Sequence, residues 1–204
     1  MNFNPFPITN AQGSFSVQSQ GYIQGDVLAD PATRFAIAAG IVDSAETLPM
    51  WGGVAIYEKT PPAQPSGGFD GSTIARAYND GMGGSFLSGF STFNGSFAAP
   101  TSPQSPVPLQ SAGFSFNFVR LGSGNRVVVA CSADVIALAG SANPQQFSWD
   151  VDAQQLIPVS IAPDALSFKA TLISINTNSM TVDYNPTTGF ATWNNTSNAA
   201  VILI

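Results

Sequence analysis

The chain has 204 residues, of which 44% are hydrophobic and only 9% charged, with six basic and twelve acidic residues and a net charge of −6. An average soluble domain carries about 25% charged residues, so this surface is expected to consist mainly of Ser, Thr, Asn, Gln, Gly and Ala. The sequence contains no histidine, one cysteine and no basic run. It therefore excludes Ser-His-Asp, Cys-His and His-zinc sites and an intrachain disulfide, and it argues against binding to a nucleic-acid backbone.

The first 33 residues are rich in Gln, Asn, Gly and Pro. They fit either an extended arm that orders on a partner or an ordinary first strand with loose ends. We predict an arm over residues 1–33 and one all-β domain over 34–204. The N-terminus lacks the basic and apolar regions of a secretory signal, and no apolar run approaches the roughly 20 residues that span a bilayer. We expect a protein made and kept in a cytoplasm, or assembled from one.

The middle of the chain is irregular in composition. Residues 60–71 and 99–110 are rich in Pro, Gly and Ser and predict long loops, because proline removes a backbone donor and blocks central strands. Between them, a Gly/Ser background holds four aromatic residues: Phe86, Phe90, Phe93 and Phe97. They fit either irregular strands or a surface loop with aromatic anchors. We predict a loop-rich insert at about 60–110.

The remainder predicts a meander of short strands. Residues 114–121, FSFNFVRL, alternate phenylalanine with polar residues, which is typical of a half-buried strand. Residues 126–138 are more continuously apolar, as expected for a strand covered on both faces. Further strands are predicted at 168–175 and 180–184. Turn residues predict hairpin-type loops between these runs, at 122–125, 176–179 and 185–189.

The segment Ala199–Ile204, AAVILI, carries no polar side chain. We expect a short turn at 194–198, after which this segment returns as a closing strand buried on both faces. An ordinary core strand is favoured over an interface strand. The whole pattern predicts an all-β fold, a β-sandwich or jelly-roll-like barrel with long Pro/Gly-rich loops and an N-terminal arm.

Few residues are candidates for chemistry. Asp150 and Asp152 lie two apart and would share one face of a strand, which suits calcium or an acid–base pair, but solvated carboxylates at a turn are the favoured interpretation. Cys131, inside an apolar run, is interpreted as a small buried hydrophobe rather than a reactive thiol. We assign no catalytic residue, metal site or cofactor, and predict that the protein is not an enzyme.

Three segments resemble the structural cement, or head decoration, proteins of tailed bacteriophages: LPMWGGVAIYE (48–58), QFSWDVDAQQLIP (146–158) and NSMTVDYNPTTGFATWNNTSNAAVILI (178–204). The resemblance implies an all-β protein on the outer surface of a virion capsid, assembled in the cytoplasm of the bacterial host. It implies a protein that binds neighbouring major capsid subunits and stabilises the shell against internal DNA pressure. It implies no enzyme activity and no cofactor.

The expected partner is the major capsid protein, with self-association into a dimer or trimer on the capsid and no nucleic-acid or membrane partner. A surface with few charges suits this role because few charges need desolvating when proteins pack together. We predict capsid or subunit contacts at five aromatic residues: Phe3, Phe6, Phe15, Phe90 and Phe93.

The alternative function is a carbohydrate-binding β-module of a phage tail or adhesin. It would require a tryptophan exposed in a groove beside polar side chains. The three tryptophans are interpreted instead as core anchors: Trp51, Trp149 and Trp193.

Overall fold

The computed structural model describes residues 22–28, 36–59, 72–80, 85–93, 107–160 and 165–204. Within them the chain is almost entirely β, which confirms the predicted class. The strands in chain order are β1 (Ile37–Val42), β2 (Ala55–Lys59), β3 (Ser72–Arg76), β4 (Tyr78–Asn79), β5 (Ser85–Phe86), β6 (Gly89–Ser91), β7 (Ser115–Arg120), β8 (Arg126–Ala130), β9 (Gln145–Asp150), β10 (Gln155–Pro158), β11 (Ala165–Asn185) and β12 (Phe190–Leu203). The same described residues contain one short helix, α1 (Ala133–Ile136).

Five strands close a small barrel in the order β1-β3-β2-β6-β7. Its neighbours are antiparallel except β1 and β3, which run parallel. That pair distinguishes this barrel from one built of antiparallel strands alone. Because side chains alternate along a strand, one face of each strand fills the interior. The buried interior includes Val42, Ile56, Ile74, Phe116 and Phe118.

An arginine lies at each end of the barrel. At one end Arg120 donates two hydrogen bonds of 2.7 Å to Glu58, and these bonds are the main reason why the pKa of that carboxyl is lowered. At the other end the guanidinium carbon of Arg76 lies 4.6 Å from the ring centroid of Trp51, and Arg76 donates to the Pro49 carbonyl at 2.5 Å. Desolvation lowers the pKa of Arg76. The contact between Arg76 and the Trp51 ring fixes the indole at the edge of the barrel.

A five-stranded sheet, in the order β10-β9-β11-β12-β8, packs against the outer side of the barrel. The main hydrophobic core forms between them. In it the ring of Phe90 from β6 lies 5.3 Å from that of Trp149 and 5.6 Å from that of Phe168. This contact covers the outer face of β6 and leaves the outer face of β1 on a different side of the barrel.

β11 and β12 form a long hairpin that joins the two halves. The turn at 186–189 connects them, and Gly189 has φ 72° there, which confirms the hairpin predicted at this position. Near the turn, one face of the hairpin packs against the barrel interior cluster through Val182, Tyr184, Ala191 and Trp193.

The apolar C-terminal segment lies between β11 and β8. Ala200 and Ile202 face the main core, whereas Ala199 and Val201 face the opposite side, where they pack with Val128 under Tyr22. Both faces are therefore buried, and the interpretation as a core strand is confirmed.

Four predictions of local structure are wrong. Residues 122–125 do not close a hairpin, since they join β7 of the barrel to β8 of the other sheet. Residues 176–179 lie within β11 and residues 194–198 within β12, where register shifts replace the predicted turns. The strand predicted over 126–138 ends at residue 130 and is followed by α1.

Residues 22–28, here called the strap, belong to the folded domain. Their backbone bonds to β11 and β8 through Gln24 N to Met180 O (2.9 Å), Gly25 N to Val128 O (2.8 Å) and Leu28 N to Arg126 O (2.9 Å). The arm predicted over 1–33 is therefore wrong for the strap, and the rest of it lies outside the described residues.

The predicted insert at 60–110 also contributes to the fold. β3 and β6 are barrel strands, while β4 and β5 pair into a small separate sheet. The loop-rich prediction is wrong for these strands. Residues 60–71, 81–84 and 94–106 lie outside the described residues.

Candidate functional site

The structure describes two of the five predicted contact residues. Phe90 is fully buried in the main core, so its prediction as a surface contact is corrected: it points out of the barrel, but the five-stranded sheet covers it. Phe93 is half-buried and lies edge-on to Trp193, with 5.9 Å between ring centroids. The other three lie outside the described residues: Phe3, Phe6 and Phe15.

None of the three tryptophans is an open stacking platform. Trp149 is fully buried, which confirms its interpretation as a core anchor. Trp51 is only 5% exposed, because Arg76 lies over its ring and Tyr184 packs beside it at 5.4 Å. Trp193 is half-buried against Phe93. A carbohydrate site that depends on an exposed tryptophan is therefore not present at these positions.

The candidate carboxylate pair belongs to a turn. Asp150 Oδ1 accepts hydrogen bonds from the backbone N–H of Asp152 at 3.0 Å and of Ala153 at 2.8 Å, which confirms the turn interpretation. In the described part of the chain, no three His, Cys, Asp or Glu residues come together to hold a metal ion. Nor does any helix there have the length and apolarity needed to cross a membrane.

Cys131 is buried against the main core, as predicted. Desolvation raises the pKa of its thiol to about 12.

The thiolate of Cys131 is the reactive form, so we expect the native protein to react very slowly with a disulfide reagent at pH 8. In denaturant the pKa returns to about 8.5 and labelling should become fast. Time courses with and without guanidinium measure the difference; complete labelling of the native protein at the denatured rate would contradict it.

The outer face of β1, called the β1 face, is an exposed aliphatic surface. Ile41 is 52% and Ile37 37% exposed, and Ala39 lies between them on the same side of the strand. The neighbouring positions on β7 and β3 are uncharged, since Ile41 lies opposite Ser115 and Thr73. Exposed apolar surface bordered by polar residues is typical of a protein interaction site.

An aromatic patch lies farther around the barrel on β2, β4 and β5. The rings of Tyr78 and Phe86 stack at 4.7 Å, and Tyr57 packs edge-on to Phe86 at 5.1 Å. Tyr78 remains exposed. Aromatic residues are enriched in protein interfaces because they bury a large area with little loss of side-chain entropy.

A large polar cavity among the described residues, called the Gln154 groove, lies between the barrel, the β9–β10 turn and the long hairpin. Its volume is about 580 Å³, and it is lined by Trp51, Asn194 and residues 130–133, 153–155, 181–183 and 196–198. A neighbouring cavity of about 470 Å³ shares five of these residues: Trp51, Ala153, Gln154, Val182 and Asp183. The two cavities therefore share a wall.

Buried polar atoms without a hydrogen-bond partner cluster at this groove. Among the described residues they include three that line it, through Trp51 Nε1, Ser132 Oγ and Gln154 Oε1. Arg76 Nε, in the wall of the neighbouring cavity, is also without a partner. An unpaired buried polar group costs free energy, so native structures keep few of them.

Neither the β1 face nor the Gln154 groove is predicted from the sequence. The β1 face requires knowing that β1 pairs with β3 and β7, and the Gln154 groove brings together residues more than 140 positions apart. One local signal was available: Gln154 follows the turn residues Val151–Ala153, at a position where glycine is usual.

Comparison of the chain with protein-family models, with curated proteins and with solved structures found no match. The likeness to phage cement proteins therefore rests on the three sequence segments alone.

Proposed function

We propose that this chain is a structural cement protein that binds the outer surface of a phage capsid and stabilises the major capsid protein lattice. The observation that carries the proposal is the β1 face, with Ile37 and Ile41 exposed on a strand whose neighbours are uncharged. Self-association on the capsid, as a dimer or trimer, belongs to the same proposal.

The surface chemistry supports docking onto another protein. Burial of the exposed apolar side chains of β1 against a partner lowers the free energy, and the uncharged residues around them cost little to desolvate. The nearest charged residue on β2, Lys59, is already paired with Asp43. Repetition on a lattice would add the contributions of many modest contacts.

Replacing Ile41 with lysine is expected to lower binding to empty capsid shells by about tenfold, which corresponds to roughly 1.4 kcal/mol. The reason is that an ammonium group would be desolvated against the partner without a counter-charge. Co-sedimentation with shells of the cognate major capsid protein measures this loss. The matched control is Ile173→Lys, because Ile173 is 43% exposed on β11 of the other sheet and should keep full occupancy.

A second variant separates the β1 face from the N-terminal residues predicted as contacts. Deletion of residues 1–20 leaves the strap intact and should give a folded domain that binds shells poorly if Phe3, Phe6 and Phe15 are anchors. Normal occupancy after this deletion would exclude the arm, and normal occupancy of Ile41→Lys would exclude the β1 face. If the wild-type protein failed to co-sediment, the cement proposal itself would be overturned.

A further inference from the structure

The Gln154 groove has the size and chemistry of a ligand site. Its volume of about 580 Å³ lies in the range of roughly 300–1,000 Å³ that small-molecule sites occupy. Eight of its fifteen lining residues carry a hydroxyl or side-chain amide, and Asp183 is the one charged residue among them. A neutral ligand with many hydrogen-bonding groups matches this lining.

Ser132 has no structural role that explains its hydroxyl. It occupies the position before α1, where a serine side chain normally accepts a hydrogen bond from a backbone N–H of the first turn. Here its side chain makes no such bond, and Ser132 Oγ is buried without a partner at the groove. An alanine would fill the position without leaving a buried hydroxyl unpaired.

Gln154 carries two local costs at the same place. Its φ is 52°, in the left-handed region that favours glycine. Gln154 is 9% exposed, and although its Nε2 donates to the Val151 carbonyl, its Oε1 is buried without a partner. Strain that a glycine would relieve, combined with an unpaired acceptor in a groove, is typical of a functional position.

We propose that the Gln154 groove binds a saccharide, recognised through hydrogen bonds from a neutral, polyhydroxylated ligand. A hydroxyl group both donates and accepts, so one ligand type suits the hydroxyl and amide side chains that line the groove, and rotation of the Ser132 and Gln154 side chains would bring their buried, unpaired oxygens to it. Because Arg76 and Tyr184 cover Trp51, recognition does not use tryptophan stacking. The affinity of one site is then modest, on the order of 1 mM. This inference does not depend on capsid docking.

The experiment uses neutral hexasaccharides with gluco-, galacto-, manno- and N-acetylglucosamine backbones, titrated into the full chain and followed by amide chemical shifts. At least one should bind and shift the amides of residues 154 and 196–198. Ser132→Ala and Gln154→Gly should each weaken its binding about tenfold. Both variants should unfold at the wild-type temperature or a few degrees above it, because each removes an unpaired polar group. The control is Gln146→Ala, an exposed glutamine on β9 outside the groove, which should bind normally.

Three results would overturn the saccharide site. The first is that no hexasaccharide in the panel binds at roughly 10 mM. The second is that a sugar binds but both groove variants retain its affinity. The third is that an acetylated Thr/Val/Lys hexapeptide, added as a competitor, binds the groove while the sugars do not. The shell-binding assay is separate, since Ile41→Lys should leave saccharide affinity unchanged and Gln154→Gly should leave shell occupancy unchanged.

Discussion

Removal of Val201–Ile204 is expected to leave the chain unable to hold its five-stranded sheet. In the intact protein Val201, Ile202 and Leu203 pair with β8 on one side and β11 on the other. The backbone of Ile204 continues the contact, since its N–H donates to Asn125 O at 3.0 Å and its carbonyl accepts from Gly124 N–H at 2.7 Å. The truncation therefore removes the end of an internal strand rather than of an edge strand.

The size of the effect follows from burial. Three of the deleted side chains, Val201, Ile202 and Ile204, are buried, and each contributes about 1.5–3 kcal/mol when fully removed from water. Their sum approaches the 5–15 kcal/mol total stability of a typical domain. We expect loss of a cooperative thermal transition by circular dichroism, together with aggregation through the exposed edges of β8 and β11.

A graded control distinguishes loss of core packing from loss of chain length. Ile202→Ala should cost about 2–5 kcal/mol because Ile202 is fully buried, whereas Leu203→Ala should cost less because Leu203 is half-buried. If the truncated protein stayed folded and soluble but no longer bound shells, the segment would be an interface rather than part of the core.

The buried strand at residues 199–204 could be predicted from local sequence. A continuous apolar run after Pro/Gly turn residues carries enough information to predict a buried strand and the hairpin before it. The turn predicted from polar residues at 176–179 is wrong, because Asn and Ser there make the hydrogen bonds of a turn within a continuing strand. Asn178 N–H donates to Asn176 Oδ1 at 2.7 Å, and Ser179 Oγ donates to the Asn176 carbonyl at 3.2 Å. Turn chemistry therefore marked a bulge rather than a chain reversal.

Long-range pairing could not be predicted from local patterns. Residues 122–125 have the glycines of a hairpin loop, but nothing in them specifies that β8 leaves the barrel for another sheet. The strap has no apolar run, and backbone hydrogen bonds join it to β8 and β11, so hydrophobic patterning does not reveal it. The Gln154 groove depends on both features, since its walls come from separate sheets and from the barrel.

Gly25→Ala is expected to release the strap and to cost roughly 3–5 kcal/mol. Gly25 has φ 84°, where a side chain costs about 1–2 kcal/mol. A Cβ there would also lie 2.4 Å from the Cα of Gly52, which is backbone and cannot rotate away. The strap must therefore shift, and its hydrogen bonds, each contributing about 0.5–1.5 kcal/mol, weaken together.

Gly113→Ala is the matched control for this effect. Gly113 has the same φ of 84°, but a Cβ there would meet nothing within 4 Å. Its substitution should cost only the backbone strain, about 1–2 kcal/mol. The difference between the two variants in urea unfolding isolates the contribution of the close approach between the strap and the barrel.

Hydrogen exchange gives the local test. The amides of Val128 and Met180 donate to strap carbonyls, at 3.0 Å to Asp26 and 2.8 Å to Tyr22. Both should exchange faster in Gly25→Ala and at the wild-type rate in Gly113→Ala, because only the first variant displaces the acceptors. Equal destabilisation by the two substitutions, with Val128 and Met180 still protected, would mean that the strap tolerates the added methyl group and that the barrel loop at Gly52 yields instead.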